Sequence, residues 1–586
     1  MRLNDFREIL VVDTEYATPR GEPVRPVCLV AEEFKTGQRW QIWQDELRHL
    51  AGPPFPHDPD TLFVAYAAAA EFSVYLALGW PIPRYVLDLY FEFRQKTNGI
   101  KSWWPGGSSL LGACAYHGIT TMGAEEKESM RALVLRGGPW TNDERRAILA
   151  YCGADVAVTR KLLVEMEPTT VSLPLALYRG RYARAVACVE HAGVPIDTET
   201  LGRIETNRIE IMEQLVRATD VAGIYTGTTF SSAKWLAWTE SQGIPWPRLK
   251  EGGPALDKDT FKDWAGAYPA VEPYRQLRKT LPLLREWKLA AGSDGRARSA
   301  VQPFWTRPGR NNPSNSQFIF ALAKWFRSLI KPKPGFAVAY LDYEQQEFAI
   351  SAVLSNDHAM LEAYASGDPY LMFAKQAKAV PPDATKESHK RARDLFKTCA
   401  LAALYGIGPD ALARRIGQPT AMGRELLRYH HETFEKFWQW SDNIEMLADA
   451  RRKLTTVFDW ALYVASDDFN PRTLRNFPVQ AHGAEILRLA ACLLTETGIT
   501  TCALVHDAVL IEAPLDQIDA TVAQTWELMV EAGRVVLGGF KLRVETKVVR
   551  HPDRFTDEAG AAMWAQVEAI LRALADTPRA VEAPSA

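Results

Sequence analysis

The seven cysteines of this 586-residue chain (Cys28, Cys114, Cys152, Cys188, Cys399, Cys492 and Cys502) include no Cys-x-x-Cys pair. That scatter excludes both a disulfide framework and a cysteine-based zinc site. No apolar run approaches the roughly 20 residues of a membrane span. The start, Met1-Arg-Leu-Asn-Asp-Phe-Arg7, lacks the pattern of a secretory signal. A reducing, aqueous compartment follows as the expectation, most simply the cytoplasm, with no membrane partner. Excess charge is missing too: the formal net charge is only −3, so a nucleic-acid surface would have to come from local clustering of cations. Internal repeats are absent, and the only low-complexity piece is the Ala/Pro-rich tail after Asp576. What is present is ordinary globular composition, 47% hydrophobic and 24% charged, in a chain long enough for several domains.

The first ~165 residues read as α/β. Ile9-Leu-Val-Val12 is a buried strand that pairs plausibly with Val27-Cys-Leu-Val-Ala31, and Asn142-Asp-Glu-Arg-Arg-Ala-Ile-Leu-Ala-Tyr151 opens on a polar cap residue and continues as an amphipathic helix. Pro168-Thr-Thr-Val-Ser-Leu-Pro174 punctuates the chain and sets the first boundary. From about 175 to 300 the pattern is mostly long helices, broken at Gly223–Thr229 and at Gly252-Gly-Pro254. Residues 356 to 450 return to helix and 500 to 550 to strand. The expected division is 1–168, 169–300, 301–355, 356–465 and 466–586.

Two apolar runs end in aspartate, Tyr340-Leu-Asp342 and Leu504-Val-His-Asp507. Taken alone, each is most simply a core strand with a turn aspartate. A buried carboxylate needs a partner, and a divalent cation shared by Asp342 and Asp507 would serve both. Neighbouring strands could then clamp two Mg²⁺ ions about 3.5–4 Å apart for displacement at phosphorus. Between the runs, Arg393, Lys397, Leu401 and Tyr405 recur every four residues, so a helix places them on one face that ends at Gly406. Such a face suits a nucleoside triphosphate: cations at the phosphates, Leu401 near the sugar, Tyr405 by the base.

The ordered set Asp342, Arg393-x-x-x-Lys397 with Tyr405-Gly406, and His506-Asp507 resembles the three polymerase motifs of family-A DNA polymerases, the bacterial DNA polymerase I group. Thr306-Arg-Pro-Gly-Arg310 with Asn315 and Gln317 resembles the template-primer segment before the first motif. Arg472-x-x-x-Asn476-x-Pro-x-Gln480 resembles the minor-groove reading helix, and Glu190-His-Ala-Gly-Val-Pro-Ile-Asp197 the opening of the thumb. The resemblance implies an antiparallel palm with helical fingers and thumb, primer-template DNA and dNTPs as partners, and a monomer. It implies two Mg²⁺ ions, with Mn²⁺ as a substitute, ligated by Asp342, Asp507 and the Tyr343 carbonyl. The primer 3′-hydroxyl would attack the α-phosphate. Glu347 would guard the sugar 2′ position, Arg393 and Lys397 would hold the triphosphate, and Lys397 would protonate pyrophosphate. Tyr405 would stack at the template-base position. Arg310, Asn315, Gln317, Arg472, Asn476 and Gln480 would contact the duplex, with His506 at the primer end. Three departures stand out: Ala508 where glutamate is common, so that a third acid is missing, Leu401 where an aromatic is common, and Ala349 in place of an arginine.

A second acidic set lies at the N-terminus. Asp13 and Glu15 fall on one face of a strand, Glu71 follows in Tyr66-Ala-Ala-Ala-Ala-Glu71, and Tyr151 precedes Asp155 by one helical turn. The set resembles a 3′→5′ proofreading exonuclease of the DEDD type with an RNase H-like fold, again with two metal ions, held here by Asp13, Glu15, Glu71 and Asp155. Tyr151 would orient a water. Glu71 stands where aspartate is usual and Ala67 where asparagine is common, while Asp88 reads as structural. With Asp13 so near the start, no room is expected for a preceding 5′-nuclease domain, a layout resembling phage and plasmid replicases, as does Pro552-Asp-Arg-Phe-Thr-Asp557 with Met563-Trp564. A host-cell cytoplasm and a preference for a modified purine come with that likeness. Two alternatives remain: a nuclease with an inert polymerase half, and a DNA-binding accessory without metal chemistry.

Overall fold

The computed structural model describes residues 2–167, 172–465 and 469–576. The expected boundary around Pro168, the break at 466 and the terminal Ala/Pro tail fall on or beside residues outside that set.

The N-terminal region is built on a five-stranded mixed sheet in the order Arg39–Trp43, Arg25–Glu33, Glu8–Ala17, Thr61–Ala65, Tyr85–Asp88. Arg25–Glu33 runs antiparallel to both of its neighbours, and the last two strands run parallel to Glu8–Ala17. Both faces of the sheet are covered, which explains the near-continuous apolar run Ile9–Val12. Ile9 and Val11 pack with Ile148, Cys152 and Val156 of helix Asn142–Glu165. Leu10 and Val12 pack on the opposite face with Phe72 and Tyr75 of helix Ala68–Ala77. The period of two along the strand therefore decides which helix each side chain meets.

The helix expected at Asn142 is capped one residue earlier. Thr141 Oγ1 accepts from the Glu144 N–H, and the Glu144 carboxylate accepts from the Thr141 N–H at 2.8 Å, forming a capping box. Asp88 is structural, as expected. Its carboxylate accepts from the N–H groups of Ala67, Ala68, Tyr90 and Phe91 and so caps two helices. Ala67 needs that help, because its φ of 71° is left-handed. A non-glycine residue there costs about 1–2 kcal/mol, and the bonds from the Ala67 and Ala68 N–H groups offset it, while burial pushes the Asp88 carboxyl up to about 7 against the pull of its four N–H donors.

The second sheet has four antiparallel strands in the order Thr501–Val505, Ala508–Pro514, Phe336–Tyr343, Val544–Arg550. Ala337, Ala339 and Leu341 face a core shared with helix Pro471–Glu496 and helix Ile518–Val536. Val338 and Tyr340 face the other way, against Phe320 and Phe555. Asp342 continues this second face, away from the backing helices. The Tyr343 hydroxyl donates to the Met529 carbonyl at 2.6 Å and pins the strand end beside it.

One stretch departs from the expected strands. Between Pro514 and Val544 the chain forms helix Ile518–Val536, whose buried Ile518, Thr525, Met529, Ala532 and Val536 keep helical spacing. The intervening β-branched and aromatic residues hide that spacing in a strand-like composition. Helices dominate 173–285, interrupted by the short strands Val194–Pro195, Tyr225–Thr226 and Thr229–Phe230, and end before the expected 300. The later helical stretch starts at Gln346, ten residues before the expected 356. Among the described residues no helix is long and apolar enough to cross a membrane.

Candidate functional site

Asp342 and Asp507 meet at the open end of the four-stranded sheet. Asp342 pairs across the ladder with Ala508 on one side and Glu545 on the other. Asp507 lies in the two-residue turn between Thr501–Val505 and Ala508–Pro514. His506 completes that turn at a left-handed φ of 52°. The Tyr343 N–H donates to the Asp507 carbonyl at 3.2 Å, so backbone hydrogen bonding fixes the approach of the two acids. Burial first, then repulsion from Asp507 and Glu545, pushes the Asp342 carboxyl up to about 7. Burial also raises Asp507, against the His506 and Arg310 charges. Glu545, absent from the sequence reading, stands on the flank of Asp342 opposite Ala508. No motif marks it, because register alone brings it there.

Around the pair, Arg310 donates to Glu347 Oε1 at 2.8 Å and the Tyr405 hydroxyl donates to Glu347 Oε2 at 2.5 Å. Gly309 makes the Arg310 turn possible: its φ is +77°, and a Cβ would stand 2.9 Å from Trp460 Nε1. Arg393 and Lys397 project from helix Lys390–Leu404. Arg393 Nε is ion-paired with Asp368, and both cations lie 5.8 Å from the Tyr370 ring. Asp368 and Tyr370, in the first turn of helix Pro369–Gln376, escaped the sequence reading because an aspartate before Pro-Tyr looks like an ordinary cap. Leu401 is half-buried on the same helix, and Tyr405 caps it.

Asn315, Arg310 and His506 line one cleft together with Lys258, Lys279 and Lys324. Among the described residues this cleft is lined by no carboxylate. Burial, then the charges of Lys258, Arg275, Arg327 and Lys324, lowers the Lys279 pKa. These lysines come from separate elements, so no sequence window shows the cluster. Gln317 does not join it and lines other cavities. Arg472, Asn476 and Gln480 lie on helix Pro471–Glu496, with Arg472 packed beside Gly406.

In the N-terminal region, Asp13, Glu15 and Asp155 bring ligand oxygens within 4.8 Å of one another. Asp13 and Glu15 face helix Asn142–Glu165, and Cys152 Sγ donates to the Asp13 carbonyl. Tyr151 is buried beside them. Burial and then Asp155 raise Asp13 to about 8, while burial, Asp13 and Asp155 raise Glu15 to about 9. Asp13 Oδ2 is buried without a hydrogen-bond donor. An all-carboxylate set with an orphaned oxygen suits a hard divalent cation. Two cations from helix Ala124–Leu135 also reach the cluster, and the sequence reading missed both. Lys127 Nζ pairs with Asp155 Oδ2 at 2.5 Å, and the Arg131 charge acts on Glu15. Glu71 does not join the triad. It accepts from the Thr14 hydroxyl at 2.5 Å, and Thr14 points from the strand face opposite Asp13 and Glu15.

Raised carboxyl pKa values fix the sign of a pH effect. Unfolding releases these groups to ordinary values near 4, so their contribution to stability is full below pH ~4. It falls as pH rises towards the folded values of about 7 for Asp342, 8 for Asp13 and 9 for Glu15. In EDTA the Tm should therefore fall between pH 5 and 9, and Mg²⁺ or Mn²⁺ should restore more of it at pH 9 than at pH 5. A cation effect independent of pH, measured by thermal melts, would count against both clusters as cation sites.

The sequence profile of DNA polymerase family A matches residues 242–551, just over half of the chain. Similar proteins include DNA polymerase I of Aquifex aeolicus, 24% identical over 441 residues covering 69% of this chain and 75% of the relative. The thermostable DNA polymerase I of Thermus thermophilus is 25% identical, covering 68% of this chain and half of the relative. Among solved structures, the POL domain of Pol1 from M. smegmatis, in complex with DNA primer-template and dNTP, superposes with a TM-score of 0.69 at 18% identity. That superposition covers 94% of this chain and 96% of the other, and it establishes a shared fold.

Proposed function

Because the chain belongs to DNA polymerase family A, we propose that it extends a DNA primer along a template with dNTPs as substrates. One observation carries the reading. Asp342 lines a cleft with Glu545, Lys547 and Asp557, Asp507 adjoins His506 of the carboxylate-free basic cleft, and Glu347, locked to Arg310 and Tyr405, acts with its charge on Asp507. Asp342, Asp507 and the Tyr343 carbonyl would hold the divalent ions. When bound, such ions supply Lewis-acid activation of the attacking hydroxyl and charge neutralisation at the phosphates.

The chain's own residues do the remaining work. Arg393 and Lys397 hold the triphosphate, steadied by Asp368 and the Tyr370 ring, and Lys397 delivers a proton to the departing pyrophosphate. Glu347, fixed from two sides, presents a carboxylate where a ribonucleotide would carry its 2′-hydroxyl, and Leu401 packs near the sugar. Tyr405 covers the template-base position. Arg310, Asn315, His506, Arg472, Asn476 and Gln480 meet the duplex, where minor-groove acceptors lie alike for every base pair. Gln317 is likewise assigned to the duplex, although it lines other cavities than Asn315 and Arg310.

The Asp13, Glu15, Asp155 and Tyr151 cluster supports a 3′→5′ exonuclease acting on the same primer end. A role as a phage or plasmid replicase, and a preference for a modified purine, rest on the sequence likeness alone. Competition between adenine and modified-purine nucleotides opposite thymine tests the preference.

Phosphate contacts dominate affinity for duplex DNA, so primer-template binding should weaken steeply with salt. Lys258→Ala with Lys279→Ala should lower the slope of log affinity against log salt by about 2, evenly across template sequences. Fluorescence anisotropy at several salt concentrations measures it. An unchanged slope would remove the basic cleft from the DNA path.

A further inference from the structure

The geometry points to a one-ion exonuclease centre: Asp13, Glu15 and Asp155 hold a single divalent cation, and the Lys127 ammonium stands in place of a second. This inference deepens the exonuclease reading proposed above and rests on it.

Three observations carry it. First, three carboxylates converge within 4.8 Å, and the buried Asp13 Oδ2 has no donor, so one ion has a prepared seat with an oxygen waiting for it. Second, the fourth carboxylate that a two-ion arrangement would use is engaged elsewhere. Glu71 is buried on the far face of strand Glu8–Ala17, where Thr14 Oγ1 donates to it at 2.5 Å. The Asp13 and Glu15 charges act on Glu71, yet joining the cluster as a ligand would mean giving up the bond from Thr14. Third, a positive charge already occupies the open side. Lys127 Nζ lies 2.5 Å from Asp155 Oδ2 and 5.5 Å from the centre of the Tyr151 ring, with Arg131 one helical turn further along.

Charge balance agrees. One divalent ion plus the Lys127 ammonium matches the charge of three carboxylates, whereas a second divalent ion beside Lys127 would add positive charge to a site on which Arg131 already acts. Two ions about 4 Å apart are tolerated where enough carboxylate surrounds them, and here Asp155 would have to be shared between an ion and Lys127. Lys127 fits this role because its ammonium both pairs with the acid and lies over the Tyr151 ring.

Counting ions tests the inference without any assay of catalysis. Mn²⁺ is titrated calorimetrically into the full chain carrying Asp342→Asn and Asp507→Asn, which removes the palm ions. The expected stoichiometry is one. Adding Asp13→Asn should abolish that ion. Adding Glu71→Gln, which can still accept from Thr14, should leave it unchanged. Adding Lys127→Met should admit a second ion. Two ions with Lys127 intact, loss of the ion in Glu71→Gln, or a single ion in Lys127→Met would each overturn the inference. Absence of any ion in the starting chain would instead overturn the exonuclease reading itself.

Discussion

Replacing Asp342 with asparagine should lower primer extension by at least about 10³-fold, equivalent to roughly 4 kcal/mol of transition-state stabilisation, while primer-template affinity changes less than about threefold. The reason is local. Asp342 is the central acid of the sheet edge, flanked by Ala508 and Glu545 and facing Asp507, whereas the cations expected to meet DNA phosphates lie in the neighbouring cleft. A second readout should move the opposite way. Neutralising Asp342 removes repulsion with Asp507 and Glu545, so the Tm in EDTA at pH 8 should rise. Asp507→Asn should behave alike, and the double variant should be hardly worse than either single, since both acids act on the same ions. Extension retained within tenfold in Asp342→Asn would refute the assignment of the palm site, whatever happens to stability.

The second large effect is expected at the N-terminal cluster. Asp13→Asn should reduce 3′→5′ shortening of a mispaired primer by about 10³-fold and leave extension of a matched primer within twofold. Asp13 and Asp342 belong to different sheets, and neither contributes to the other's carboxyl environment. Tyr151→Phe should cost less, about tenfold. Burial first, then the charges of Glu15 and Asp155, raises the Tyr151 pKa, so the phenol stays protonated at working pH and can orient a water but not accept its proton. A gel-based assay on matched and mispaired primers, without dNTPs, distinguishes these outcomes. Wild-type shortening in Asp13→Asn would show that degradation arises elsewhere.

Much of this site was legible along the chain because its chemistry is carried by local patterns. Apolar runs ending in Asp342 and Asp507, the four-residue spacing of Arg393, Lys397, Leu401 and Tyr405, and the alternation that sets Asp13 beside Glu15 all survive in one dimension. Helix Ile518–Val536 did not, since its buried positions are spread among β-branched and aromatic residues that compose like strand. Asp368 and Tyr370 were hidden for another reason: helix caps and core aromatics are common, and only the packing of one helix on another turns them towards Arg393 and Lys397.

By itself the sequence determined which residue types could do the chemistry and the order in which they occur, because strand and helix periods are set by backbone geometry within a few residues. Tertiary structure alone decided which charges share a site. It placed Glu545 beside Asp342, gathered Lys258, Lys279 and Lys324 into one cleft, set Lys127 on Asp155 and turned Glu71 to Thr14. Coulomb energies depend on distance through space, and distance through space between segments far apart in the chain is fixed only when the core packs.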